Sequence, residues 1–110
     1  MQFFEAQDVI DRLGKSGQLY EEFLRVHGMS TGIYSLRAGA TDLQNPHNED
    51  EIYYVLHGNA SIRVGNESQL IRPGSLIFVP ARVEHKFHDI KEDLILLVVF
   101  APPEGSTRDR

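Results

Sequence analysis

Residues 45–66 read NPHNEDEIYYVLHGNASIRVGN, and the alternation of strand-forming runs with turn signals in this stretch points to an all-β fold. The run EIYYVLH, residues 51–57, is rich in β-branched and aromatic side chains, which suit a pleated, half-buried surface. Gly58-Asn59 turns it into a second run, Ala60 to Val64, and Gly65-Asn66 supplies another hairpin turn.

Working outward, the same pattern repeats. Downstream, Gln69–Arg72 is followed by the break Pro73-Gly74, then by Ser75–Val79, Val83–Asp89 and Leu94–Phe100. Upstream, Ser30–Arg37 ends at Ala38-Gly39. Leu19–Val26 reads as a strand, with helix as a competitor because of the pair Glu21-Glu22. Residues 6–13 place Val9, Ile10 and Leu13 on one helical face, with Gly14 as the expected C-cap, so a single short helix is expected before the strands. Short strands at close, regular spacing suggest a β-sandwich or barrel. The stretch Leu94–Ala101 is apolar throughout, which predicts a strand covered on both faces, the outer one by a second sheet or a second subunit. Residues 102–110 are polar and rich in Pro and Gly, and are expected to fray.

The chain has 110 residues, enough for one domain, 1–110, with a modest core. Acidic residues outnumber basic ones 16 to 11, for a formal net charge of -5, which disfavours nucleic acid and anionic membrane surfaces as partners. Cysteine is absent, so disulfides, thiolate nucleophiles and sulfur-ligated metals are excluded. No run approaches the roughly 20 apolar residues that span a bilayer, and Met1 to Ile10 does not read as a signal peptide, so a cytoplasmic location is the default expectation.

The chemistry-bearing residues cluster at the approaches to two strands. His47 stands four residues before Glu51, and His85 follows Pro80 at the start of another strand. Two imidazoles and one carboxylate suit a first-row divalent metal and leave coordination positions open. Strand parity sorts the other histidines. If His85 points inward, His88 points outward, and His57 lies about 20 Å along the strand from Glu51. His27, His57 and His88 are therefore read as surface residues.

At these residues the sequence resembles the cupins. The first motif of that family has Gly, five residues, His-x-His, three or four residues, Glu, six residues and Gly. Gly39, Asn45-Pro46-His47, Glu51 and Gly58 fall at those spacings. The second motif has Gly, five residues, Pro-x-Gly, two residues, His, three residues and Asn, matched by Gly74, Pro80, Arg82, His85 and Asp89. Both motifs together cover residues 39–89. Three positions depart from the pattern, with Asn45 for a histidine, Arg82 for a glycine and Asp89 for an asparagine.

The resemblance implies a cupin jelly-roll β-barrel with one short N-terminal helix. It also implies one divalent metal ion (Fe, Mn, Ni or Zn) on His47, Glu51 and His85, with the Asn45 amide as a candidate fourth, weak ligand. A barrel that keeps the motif without the metal is the competing reading. The implied activity is that of a metal-dependent oxidoreductase of dioxygenase type, or an isomerase, acting on a small polar molecule. A non-catalytic module that binds or senses such a molecule is the alternative. Homodimers packed sheet against sheet are the expected assembly.

Tyr34, Tyr53, Phe78, Phe87, Leu97 and Val99 are candidate pocket-lining residues, with plain core as the competing reading. Arg82 is a candidate contact for an anionic ligand, with an exposed salt bridge to Glu84 or Asp89 as the competitor. Glu49 and Asp50 are read as solvated or as groups that orient His47, with a role as base the lesser reading.

Overall fold

The computed structural model describes residues 1–106. One helix precedes eight strands: α1 Ala6–Ser16, β1 Tyr20–Val26, β2 Met29–Leu36, β3 Asp50–His57, β4 Ala60–Val64, β5 Glu67–Ile71, β6 Leu76–Val79, β7 His85–His88 and β8 Leu94–Ala101. The strands form a five-stranded sheet, β1-β2-β8-β3-β6, and a three-stranded sheet, β5-β4-β7. Every pairing is antiparallel. Two antiparallel sheets closing on one core make the jelly roll expected from the sequence.

Period-two burial explains the core. Along β8, Leu94, Leu96, Val98 and Phe100 are buried, and along β3 Glu51, Tyr53 and Val55 are. From the small sheet, Ile62, Ile71 and Phe87 pack against them. Each fully buried Leu, Ile, Val or Phe contributes about 1.5–3 kcal/mol relative to exposure, so this cluster dominates the stability of the barrel. Gly58 ends β3 with φ +95, and a Cβ there would lie 2.4 Å from the Asp93 carbonyl oxygen. Only glycine fits that turn.

Leu19–Val26 resolves as strand. β1 pairs with β2 through a register shift between Glu22 and Leu24. The helix runs three residues beyond the expected end. Gly14 stays inside it, and Gly17 is the left-handed C-cap. Propensity at a single glycine is a weak stop signal when packing continues past it. Val9 and Leu13 bury themselves with Ile33 against Ile95 and Leu97. The outer face of β8 is therefore covered in part by the chain's own helix rather than by a second sheet.

The expected fraying of 102–110 is corrected for 102–106. Pro103 is buried, the Glu104 N–H donates to Ser30 Oγ at 2.9 Å, and the Glu104 carbonyl accepts from Arg25 at 3.0 Å. Those bonds, invisible to local composition, anchor the segment beside β2. Residues 107–110 lie outside the described residues.

Candidate metal centre

The two motif segments meet at one end of the barrel, between the sheets. Glu51 sits near the start of β3 in the large sheet, and His85 opens β7 in the small one. His47 lies in the segment leading into β3. Backbone bonding ties the loops together. The Arg82 N–H donates to the His47 carbonyl, and the Ala81 N–H donates to Asp50 Oδ1 at 2.9 Å. The His47 segment is thereby held against the loop that carries His85.

A ligand atom from each of His47, Glu51 and His85 lies within 4.8 Å of the other two. His47 Nε2, both Glu51 carboxylate oxygens and His85 Nε2 are buried without a hydrogen-bond partner. His85 Nε2 stands 3.3 Å from Glu51 Oε1, an ion-pair contact without hydrogen-bond alignment. Leaving a polar group buried without a hydrogen bond costs about 1–3 kcal/mol, so buried ligand atoms from three residues gathered within 4.8 Å describe a site that suits an occupant.

The tautomer is set from behind. His85 Nδ1 lies 2.9 Å from the Val83 carbonyl oxygen, which only a protonated Nδ1 can bond. The Nε2 lone pair is then the one offered to a metal. The His85 pKa stands above its ordinary value. Burial works against the charge, but the Glu51 interaction, the Val83 bond and the Asp42 charge together outweigh it.

A carboxylate that the sequence did not single out organises this end of the barrel. Asp42 is buried and accepts from Tyr34 OH at 3.1 Å, Gln44 N at 3.2 Å, Gln44 Nε2 at 2.8 Å and Phe87 N at 2.9 Å. It fastens the chain leading to His47 onto β2 and β7. Gln44 in turn accepts from Tyr53 OH at 3.1 Å. No local pattern marks Asp42, because its four donors come from three separate parts of the chain. The same holds for Tyr20, Val98 and Phe100, which share the cavity.

The cavity beside the cluster measures about 170 Å³ and is lined by His47, Glu51, Tyr20, Tyr34 and Tyr53, among others. Tyr34 and Tyr53 occupy expected lining positions. Phe87 sits behind them, its ring 4.9 Å from Tyr53, in the core rather than on the cavity wall. Phe78, Leu97 and Val99 do not line it. Phe78 pairs with Ile52 on the outer face of the large sheet, and Leu97 and Val99 have the opposite parity to Val98 and Phe100. Asn45 is exposed and off the cavity wall, as is Arg82. Arg82 contributes through its backbone, at φ 65 in the left-handed region. Neither Glu49 nor Asp50 lines the cavity.

Burial raises the Tyr20, Tyr34 and Tyr53 hydroxyl pKa values. Acidic neighbours add to this, chiefly Glu104 for Tyr20, Asp42 for Tyr34 and Glu51 for Tyr53. All three phenols stay protonated at neutral pH. Wider clefts elsewhere on the surface hold no such convergence of ligand atoms among the described residues. One, about 720 Å³, is lined by Gln69, Arg72 and Lys91 and lies away from the cluster, and another, about 440 Å³, is lined by Arg63, Glu84 and His85 on the outer side of the ligand group.

The Cupin domain family model matches residues 32–100. The chain belongs to the cupin family. A Streptomyces coelicolor relative, the uncharacterised protein SCO3923, is 55% identical to this cupin over 86 residues, covering 78% of this chain and 82% of that protein. Among solved structures, TT1209 from Thermus thermophilus superposes with a TM-score of 0.71 at 26% identity, covering 94% of this chain and 99% of that one. An RmlC-like cupin from Shewanella frigidimarina gives a TM-score of 0.69 at 22% identity, covering 76% of this chain and 74% of that one, a likeness of fold alone. The cupin identity accounts for the His-His-Glu group poised for a metal.

Proposed function

We propose that this cupin holds one divalent ion (Fe, Mn, Ni or Zn) on His47, Glu51 and His85 and uses it to bind and convert a small polar molecule. The observation that carries the reading is the grouping of buried ligand atoms from His47, Glu51 and His85 within 4.8 Å of one another, with His47 and Glu51 opening onto the cavity. When bound, such an ion supplies Lewis-acid polarisation of a substrate oxygen or, if redox-active, a centre for oxygen chemistry. The chain's own contribution is to present two imidazoles and one carboxylate, with His85 fixed by Val83, beside a tyrosine-lined cavity. Metal-dependent dioxygenation or isomerisation fits that arrangement. Elemental analysis of natively purified protein tests the metal, and turnover of a panel of small hydroxy and oxo compounds, with and without oxygen, tests the chemistry. Stoichiometric metal with turnover supports the reading, and protein that neither retains nor takes up metal overturns it.

A non-catalytic, ligand-binding role is the second reading. Stoichiometric ligand binding without turnover across the panel would select this role.

The homodimer belongs to the same proposal, with its surface moved. An apolar row lies on the outer face of β3 and the edge strand β6, where Leu76 is 72%, Phe78 58% and Ile52 46% exposed. Small-angle scattering tests it, with a particle of twice 12.5 kDa expected and a monomer contrary to it. A cytoplasmic location is likewise proposed and is checked by fractionation.

A further inference from the structure

Tyr20 lies in β1, across from Tyr34 in the β1–β2 pairing. Its ring crosses β2 at Gly32, where a Cβ would come within 2.3 Å of both the Tyr20 Cζ and its hydroxyl oxygen. Any side chain at position 32 would displace the phenol, so the glycine provides the space in which it lies. The ring meets Phe100 edge-on, with centroids 6.2 Å apart, and the residue lines the cavity with His47 and Glu51. Its hydroxyl is buried and has no hydrogen-bond partner.

The other two phenols on the wall are committed. Tyr34 OH donates to Asp42, and Tyr53 OH donates to Gln44. Tyr20 alone among the three has an O–H to give. A buried hydroxyl without a partner is costly, and it is kept protonated by its surroundings, burial first and then the nearby Glu104, Glu22 and Glu51 charges. The donor is thus placed, buried and unused beside the metal ligands.

We propose that Tyr20 is a ligand-binding residue, donating its hydroxyl hydrogen to an oxygen of a short 2-hydroxy acid held in the cavity lined by His47 and Glu51. This rests on the metal reading above. The cavity is small, about 170 Å³, which suits a small ligand. The chemistry narrows it further. A 2-hydroxy acid offers two oxygens to adjacent open positions on an ion and a third oxygen to accept from Tyr20. Glycolate, with five non-hydrogen atoms, meets both requirements.

The test uses the full chain as wild type and as Tyr20→Phe, each titrated with cobalt(II) and then, loaded, with glycolate, followed by visible absorption. Wild type is expected to bind glycolate roughly tenfold more tightly than Tyr20→Phe, the equivalent of one good hydrogen bond. Cobalt affinity is expected to be unchanged by the substitution, and Tm unchanged or raised, because the hydroxyl removed is buried and unpartnered. Equal glycolate affinity in the two loaded proteins, or no glycolate binding by loaded wild type, overturns the assignment while the metal reading stands. A Tyr20→Phe protein with lowered Tm or weakened cobalt binding marks a structural role and also overturns it. Failure of wild type to take up cobalt overturns the metal reading, and this inference falls with it.

Discussion

His85 Nδ1, at the start of β7, lies 2.9 Å from the carbonyl oxygen of Val83, two residues earlier in the chain. This short-range bond turns the other ring nitrogen, Nε2, toward Glu51 on the opposite sheet, 3.3 Å away. A local backbone contact thus orients a ligand for a long-range partnership between strands. Supporting bonds of this kind typically govern metal affinity about 10–100-fold when removed. Loss of a ligand itself therefore costs more. Replacing His85, Glu51 or His47 with Ala is expected to weaken metal binding by roughly 100-fold or more, measured by calorimetric titration with zinc or nickel.

Asn45 gives the opposite expectation. It occupies the motif position of a family histidine, yet its side chain is exposed and off the cavity wall. Asn45→Ala should leave metal affinity within about twofold of wild type, well under the tenfold that 1.4 kcal/mol represents. A loss of tenfold or more in the same titration would make the amide a ligand after all.

Asp42 is expected to be the most sensitive buried carboxylate outside the ligand set. Its replacement by Ala strands four donors, including Phe87 N–H and Tyr34 OH. The expected loss is about 3 kcal/mol, or a fall in Tm on the order of 10 °C for a domain of this size, read by calorimetry. Metal affinity should fall too, because the segment carrying His47 loses its attachment to β7.

The pH dependence of the site reverses on metal loading. The His85 pKa is raised, mainly because the Glu51 interaction, the Val83 bond and the Asp42 charge overcome the burial that opposes protonation. Its contribution to stability is therefore fully present below the unfolded value of about 6.5 and is lost as pH rises through the higher folded value. Metal binding needs Nε2 deprotonated. Thermal scans from about pH 6 to pH 8 should show the metal-induced gain in Tm growing as pH rises. A gain that is flat or shrinks with pH would contradict His85 as a ligand.

Arg82 takes φ 65 where the family motif has glycine. A left-handed conformation costs a residue with a Cβ about 1–2 kcal/mol, partly offset by the greater chain entropy that glycine loses on folding. Arg82→Gly is expected to stabilise the protein by about 0.5–1 kcal/mol, read as a rise in Tm. Metal affinity should not change, because the N–H bond to His47 is made by the backbone.

Much of this protein is legible in one dimension. Strand-forming runs and hairpin glycines determine that β3, β4 and β8 are strands and that Glu51 shares a face with Tyr53, because pleat and turn geometry are encoded by neighbouring residues. The resemblance to the cupin motifs is what singles out His47, Glu51 and His85 as the ligand set. The tertiary structure decided what depends on residues far apart in the chain. It moved Phe78, Leu97 and Val99 off the cavity wall through strand parity, laid the helix over β8, and anchored 102–106 at Ser30 and Arg25. It also revealed Asp42 with its four donors and Tyr20 lying across Gly32. Their roles arise when separate strands and loops close around one cavity, and no local pattern in the sequence records that closure.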